Sequence, residues 1–204
     1  MRVVVPFGGD SPKTRLAPFF DADERRDFAL AMLRDVLDAV ESTGNDPVVL
    51  TDRPVDVHVP TILDDRPLTD AVNDQLGGDD PIAVVMADLA LATPASLTRL
   101  FEMEGDVVAA PGLGGGTNAL VVRTPEFVVD YHGASIADHR EIADDIGVSF
   151  VEIDSMRLAV DIDEPSDLVE ILLHGRGRTR EWLDELGVTL DTTDGRAEVV
   201  CHRR

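Results

Sequence analysis

Short apolar runs bounded by Pro, Gly or Asp alternate along this chain with longer stretches in which apolar residues return every three or four positions. Val3–Val5, Val48–Leu50 and Ile82–Met86 are runs of the first kind. Their lack of polar alternation predicts strands buried on both faces of a largely parallel sheet. The second kind predicts helices. Asp23 stands where an N-cap is needed for a helix reaching about Thr43, on which Phe28, Leu30, Met32, Leu33, Val36, Leu37 and Val40 form an apolar stripe and which Gly44 ends. Thr69 to about Leu76 reads as a second helix. Thr93-Pro94 opens a third, with Thr at the N-cap and Pro at the first helical position.

Val107–Ala110 and Ala119–Val122 continue the strand series, joined by the Gly-rich Pro111-Gly-Leu-Gly-Gly-Gly-Thr117. Arg140 to about Ile146 is predicted helical, Ser149–Ile153 a strand and Ser166–Leu173 a helix. The alternation predicts an α/β fold with a mixed, mostly parallel central sheet flanked by helices. After Gly175 the character changes: Arg176–Leu186 suits a helix, and Val188–Leu190 and Ala197–Val200 flank an Asp194-Gly195 turn that fits a hairpin. The 204 residues make one domain, with residues 1–174 as its body and 175–204 appended. Such an appendage packs on its own domain or on a symmetry mate, and a homodimer is the expected assembly.

Charge narrows the function. Asp and Glu number 40 against 18 Lys and Arg, for a net charge of -22. An acid excess with Arg in place of Lys and few aromatics suits a high-salt cytoplasm, where a Debye length of roughly 3 Å at 1 M screens self-repulsion. It also leaves no basic stripe to displace counterions from nucleic-acid phosphates. Cys201 is the sole cysteine, so neither an intramolecular disulfide nor a cysteine zinc cluster is available. No signal-peptide pattern is present, and no apolar run approaches the ~20 residues of a membrane span. The expectation is a soluble cytoplasmic protein with no nucleic-acid or membrane partner.

Four places carry candidate chemistry. Lys13 is the only lysine in the chain, and with Arg15 it lies in the loop after the first strand, where an ammonium and a guanidinium suit phosphate groups. Survival of a single lysine by drift is the competing explanation. Asp88 follows the strand Ile82–Met86, at the carboxyl end where ligands gather in open α/β sheets and where a carboxylate can hold Mg²⁺ against nucleotide phosphates; a helix-capping or solvated Asp, in a chain full of them, is the simpler explanation of this residue taken alone. Asp161 and Asp163, two apart, put two carboxylates on one face of an extended segment, which costs repulsion unless a cation intervenes. Gly114, Gly115 and Gly116, followed by Thr117 and Asn118, suit close backbone approach to an anion, although a mobile loop has the same composition. Ser135, His132 and His139 stand nearby. The G-x-S-x-G elbow of hydrolases is absent, as are the Rossmann and Walker glycine patterns.

Taken together, Pro12-Lys-Thr-Arg-Leu-Ala-Pro18, Met86-Ala-Asp-Leu89, Gly114-Gly-Gly-Thr-Asn-Ala-Leu120, Ser135 with His139, and Asp161-Ile-Asp-Glu-Pro-Ser-Asp-Leu168 resemble the 2-phospho-L-lactate guanylyltransferase family, in order from about Val3 to Leu173. The resemblance implies a GT-A-type nucleotidyltransferase fold and a step of coenzyme F420 biosynthesis: GTP plus 2-phospho-L-lactate giving lactyl-2-diphospho-5'-guanosine and diphosphate, with Mg²⁺. It implies Asp88, Asp161 and Asp163 as metal ligands, Lys13 and Arg15 with Asp88 as the catalytic set, and Gly114–Asn118, Ser135 and His139 as acceptor contacts. The chain departs from the family at Gly8, where a lysine is common, and at His132, where a glycine is. Leu68 to Asn73 is the candidate stretch for reading the base, without a diagnostic pattern. Competing functions keep the fold and change the acceptor to phosphoenolpyruvate, 3-phosphoglycerate, a molybdopterin or a sugar phosphate, or keep the pocket as a regulator without turnover.

Overall fold

Val3, Val4 and Val5 have no exposed surface, and successive residues belong to different cores. The computed structural model describes every residue except 9–11, 79, 194, 196 and 203–204. It places β1 (Arg2–Phe7) in the middle of a seven-stranded sheet with β2 (Asp46–Thr51), β3 (Thr61–Leu63), β4 (Ile82–Val85), β5 (Val107–Pro111), β6 (Thr117–Val122) and β7 (Phe150–Glu152). The order is β3-β2-β1-β4-β6-β5-β7, and every pairing is parallel except those of β6 with β4 and β5. The mixed, mostly parallel sheet is the one the sequence predicts.

One face of the sheet, carrying Val3, Val5, Val49, Ala83, Val85 and Val121, packs on Leu33, Val36, Leu37 and Val40 of α1 (Ala22–Glu41) and Leu97 and Leu100 of α3 (Pro94–Glu102). The other, carrying Val4, Val48, Leu50, Val84 and Leu120, packs on α2 (Leu68–Leu76) and α4 (Ser135–Ile146). Fully burying each such side chain contributes about 1.5–3 kcal/mol, so a strand covered on both faces has no room for polar positions along its length. That is why its sequence reads as an unbroken apolar run.

A third core lies beside α1. Phe28, Ala29 and Met32 on the flank of that helix meet Leu16, Phe20, Val160, Ile162, α6 (Leu168–His174), and Leu183 and Val188 of the C-terminal segment. The segment forms α7 (Arg178–Glu185) and an antiparallel pair, β8 (Val188–Asp191) with β9 (Glu198–Cys201). Trp182 stands edge-on to Phe20, with ring centroids 5.1 Å apart. This appendage therefore packs on its own chain. Of the predicted hairpin turn, Asp194 lies outside the described residues.

Several boundaries differ from the sequence expectation. The first helix is capped by Asp21, whose side chain accepts from the Asp23 and Glu24 amides while Glu24 accepts from the Asp21 amide. Asp23 lies inside the first turn. The fourth helix begins at Ser135 rather than Arg140. Strand β3 and a single helical turn, α5 (Met156–Ala159), were not expected. Both are too short for a periodic pattern to register. Thr93 and Pro94 act as predicted, Thr93 capping α3 through the Ser96 amide.

Asp21→Ala removes the half of the capping box in which the Asp21 carboxylate accepts from the Asp23 and Glu24 amides, and leaves Glu24 accepting from the amide of residue 21. It is expected to lower unfolding free energy by about 1 kcal/mol, within the ~0.5–2 kcal/mol usual for N-caps, as read by urea denaturation in concentrated KCl. Asp23→Ala is expected to cost clearly less.

Candidate functional site

The direction of strand succession reverses between β1 and β4: the chain leaves β1 toward β2 on one side and β4 toward β6 on the other. Ligands of open α/β sheets settle in the crevice outside the carboxyl ends of strands at such a point. Lys13 follows β1 and Asp88 follows β4, so the topology brings residues 75 positions apart together.

The Lys13 ammonium lies 2.8 Å from Asp88 Oδ2 and 2.7 Å from Asp163 Oδ1. Its side chain is 11% exposed. Burial alone would push the ammonium down, but the two carboxylates hold it above the ordinary lysine range. Lys13 is also the one described non-glycine residue with positive φ, at 54° with ψ 44°, a conformation that costs an L-residue roughly 1–2 kcal/mol. Arg15 lies further out, 67% exposed, with Nη1 at 3.9 Å from Asp163 and 3.6 Å from Glu164.

The segment Val160–Asp163 runs past the end of β4, where the Ile162 amide donates to the Asp88 carbonyl at 3.3 Å. Ile162 is fully buried and anchors the strip, which leaves Asp161 and Asp163 flanking it. Burial, together with the Asp88 and Asp163 charges, pushes the Asp161 carboxyl above its usual range, against a hydrogen bond from Asn118 Nδ2 at 3.2 Å. The same Nδ2 donates to the Leu158 carbonyl at 2.9 Å. Asn118 is thus a support for Asp161, a role that its place in the glycine stretch did not suggest. Asp88 Oδ1 is buried without a hydrogen-bond partner.

The glycine loop is fastened from within. The Gly112 amide donates to the Gly116 carbonyl at 2.8 Å, and the Gly115 amide to the Gly112 carbonyl at 3.0 Å. These two amides are therefore turned inward, and an anion nest there has fewer donors than three consecutive glycines suggest. Gly115 has φ +84°, which favours glycine. Sequence reasoning missed Gly112, where a Cβ would come within 2.6 Å of Asn118 Oδ1.

Thr117, Ser135 and His139 are all buried. His139 Nε2 accepts from the Asp130 amide at 3.0 Å, so the neutral ring carries its proton on Nδ1, which donates to Thr117 Oγ1 at 2.9 Å. Ser135 Oγ lies 3.2 Å from the same hydroxyl. Burial pushes His139 down to about 4, despite Asp138 and Asp130 nearby. This chain of bonds, with the Ile136 amide donating to the Gly115 carbonyl at 3.2 Å, ties the N-terminus of α4 to the glycine loop. His139 has no exposed surface, whereas His132 is exposed and ion-paired with Asp130.

A cavity of about 410 Å³ opens beside Met86 at the carboxyl ends of β1 and β2, lined by Pro6, Leu50, Asp52, Asp64, Arg66 and Leu68, among others. Asp64 and Arg66, which sequence reasoning did not single out, form a two-toothed ion pair there, Nε donating to Oδ1 at 3.0 Å and Nη2 to Oδ2 at 2.6 Å. Of the stretch Leu68 to Asn73, Leu68 and Ala71 line the cavity. Asn73 instead clamps Val129, accepting from its amide and donating to its carbonyl. A cavity of about 750 Å³ lies elsewhere, around Arg2, Asp46 and Gln75, away from these carboxylates.

The family model described as guanylyl transferase CofC like matches residues 1–204. The chain is 70% identical over 207 residues to a 2-phospho-L-lactate guanylyltransferase of Haloferax volcanii, covering 100% of both. It is 61% identical over 200 residues to the protein of that name in Halomicrobium mukohataei, covering 98% of both. Solved structures share its fold at low identity. A protein of Desulfovibrio desulfuricans described as a nucleotide-diphospho-sugar transferase superposes with a TM-score of 0.73 at 15% identity, over 90% of this chain and 94% of that one. A nucleotidyl transferase of Methanothermobacter gives 0.61 at 17% identity, over 90% and 98%.

The buried neutral His139 gives a pH signature. A histidine held near 4 when folded, against about 6.5 when unfolded, contributes stability that is complete above about pH 6.5 and drains away as pH falls toward 4, because only the unfolded chain takes up the proton there. His139→Gln is expected to flatten the fall of unfolding free energy between those values, measured by denaturant titration at a series of pH values. An unchanged slope contradicts the neutral assignment.

Proposed function

We propose, on the premise that the chain belongs to the CofC-like guanylyl transferase family, that it joins GMP from GTP to 2-phospho-L-lactate. The products are lactyl-2-diphospho-5'-guanosine and diphosphate, in a step of coenzyme F420 biosynthesis. The observation that carries this reading is the 70% identity, over the whole chain, to a relative of that name. The convergence of Lys13, Asp88 and Asp163 at the switch point of the sheet supports it.

The acceptor needs little activation. A phosphate monoester with its second pKa near ~6 is mostly dianionic at neutral pH, so it can attack the α-phosphorus without a general base. The task is to align two polyanions and offset charge as diphosphate leaves. In this reading Lys13 and Arg15 meet the triphosphate, and the cavity at Leu68 and Asp64 receives the base. Gly114–Thr117, with Ser135 at the N-terminus of the twelve-residue α4, cradles the acceptor phosphate, and the helix dipole favours an anion there. Thr117, His139 and Asn118, buried as they are, hold the cradle and Asp161 in place.

Asp88, Asp161 and Asp163 are the residues that would hold Mg²⁺. They fit it: the donors are all carboxylate oxygens, which suit a hard cation, and Asp88 Oδ1 is buried with no partner of its own. Bound there, the ion would neutralise charge on the phosphates and polarise the phosphorus under attack. The net charge of -22 fits work in a high-salt cytoplasm. No helix among the described residues is long and apolar enough to cross a membrane.

Diphosphate release from GTP with a panel of phosphorylated three-carbon acids tests the reading. 2-Phospho-L-lactate is expected to be preferred, with residual use of phosphoenolpyruvate, because the two differ only in the C2–C3 unit, tetrahedral C2 with a methyl in one and a planar double bond in the other, and one shape-sensitive contact is worth about 1–3 kcal/mol. Strict preference for phosphoenolpyruvate, or no diphosphate with any acid, contradicts it.

Asp161→Asn is expected to abolish turnover with little loss of fold, since it relieves repulsion among neighbouring carboxylates. Lys13→Ala is expected to lower turnover by orders of magnitude, in line with ~2–4 kcal/mol per transition-state contact. Arg178→Ala, which breaks an ion pair with Asp38 on the far helices, should leave turnover intact. Comparable losses at Lys13 and Arg178 would remove Lys13 from the site.

A further inference from the structure

A lysine whose only task is to hold phosphate does not need the partners Lys13 has. Its ammonium is engaged by Asp88 and Asp163 at 2.8 and 2.7 Å, and only 11% of its own side chain is exposed, while Asp163 stays open to solvent. The left-handed backbone of Lys13 is a strained state that persists where the surroundings over-determine it, and two ion pairs from different parts of the fold do that. The oxygens that engage the ammonium belong to the same carboxylates that would hold a divalent cation. Those carboxylates do not yet form a closed ligand set. Among the described residues the only three acidic or histidine groups with ligand atoms all within 4.8 Å of one another are Asp38, Glu41 and His58, at an exposed face elsewhere.

We propose that Lys13 is a tethered stand-in cation: in the free protein its ammonium fills the position between Asp88 and Asp163, keeps a divalent cation out, and yields that position only when nucleotide phosphates draw it away. The inference rests on the reading of this site as a nucleotidyltransferase centre. An ammonium and a divalent cation a few ångströms apart, competing for the same oxygens, repel each other. A single ammonium also cannot serve Asp88 and Asp163 and a triphosphate equally well. Arrival of the triphosphate gives Lys13 a stronger partner and frees Asp88 Oδ2 and Asp163 Oδ1. Nucleotide and divalent cation therefore bind with positive coupling, each raising affinity for the other by the same factor. The stand-in also explains how three neighbouring carboxylates coexist before any ligand arrives.

The test measures Mn²⁺ binding to the nucleotide-free protein by electron paramagnetic resonance. Lys13→Gly removes the ammonium and suits the left-handed backbone, and Lys13→Met removes the charge while keeping most of the stem. Both are expected to bind Mn²⁺ at least tenfold more tightly than the unaltered protein, and Asp88→Asn added to Lys13→Gly should cancel the gain. Equal or weaker binding in both single variants overturns the proposal.

A second measurement needs no variant. Because Lys13 is the sole lysine, lysine labelled with ¹⁵N at the ammonium gives one signal. Millimolar Mg²⁺ alone should leave that signal in place, and Mg²⁺ with GTP should move it. Movement with Mg²⁺ alone, or none with both, overturns the proposal. Neither readout involves turnover. A protein that releases diphosphate but fails these tests loses the stand-in and keeps its activity, whereas one that passes them without turnover refutes guanylyl transfer alone.

Discussion

Burial of the central sheet on both faces is the constraint from which the rest of the molecule follows. Val3, Val4 and Val5, and likewise Ala83, Val84 and Val85, have no exposed surface. Between α1 and α3 on one side and α2 and α4 on the other, an uncompensated charge on such a strand would face a desolvation penalty of several kcal/mol. Chemistry is thereby confined to the strand ends. The carboxyl ends at the β1/β4 junction are where polar groups of distant segments can meet while their backbones stay anchored in the apolar layers.

The site shows how that anchoring is used. Ile162 is fully buried between Asp161 and Asp163, so a single apolar residue sets the positions of two acids. Asn118 occupies the last polar position before the apolar part of β6. It donates to Leu158 and Asp161, and Gly112 leaves room for it. Thr117, next to it, is held by Ser135 and by a histidine whose two ring nitrogens are both engaged. Thr117, Asn118, Ser135 and His139, which read as surface binding groups in the string, are buried and bonded to neighbouring segments in three dimensions. Lys13, Arg15, Asp88, Asp161 and Asp163, all charged and at least partly exposed, gather at the strand ends.

The C-terminal segment contributes by another route. Leu183, Val188 and Trp182 cover the flank of α1 and the start of α6, which lies directly after the acidic strip. Arg178 ties α7 to Asp35 and Asp38 of α1. The appendage thus completes a core on which the placement of Val160 and Ile162 depends, and none of its described residues supplies a group to the carboxylate cluster.

Local, repeated patterns were legible in the sequence: the apolar runs of β1, β2 and β4, the stripe of α1, the Thr93-Pro94 helix start, and the residues at which a lone lysine, paired acids and glycines mark chemistry. Each depends on neighbours within a few positions, so the string contains the information. The Asp21 cap was legible too, since Glu24 three residues on completes a capping box, but Asp23 competed for the same role by composition alone. Elements of three or four residues, such as Thr61–Leu63 and Met156–Ala159, were not legible, because they are shorter than one period of any pattern and exist through their partners. Likewise only the folded chain decided that Lys13 stands between Asp88 and Asp163, residues 75 and 150 positions away, and that His139 is enclosed rather than presented. Charge pairing and burial at that separation are set by how layers pack, and no local spacing encodes them.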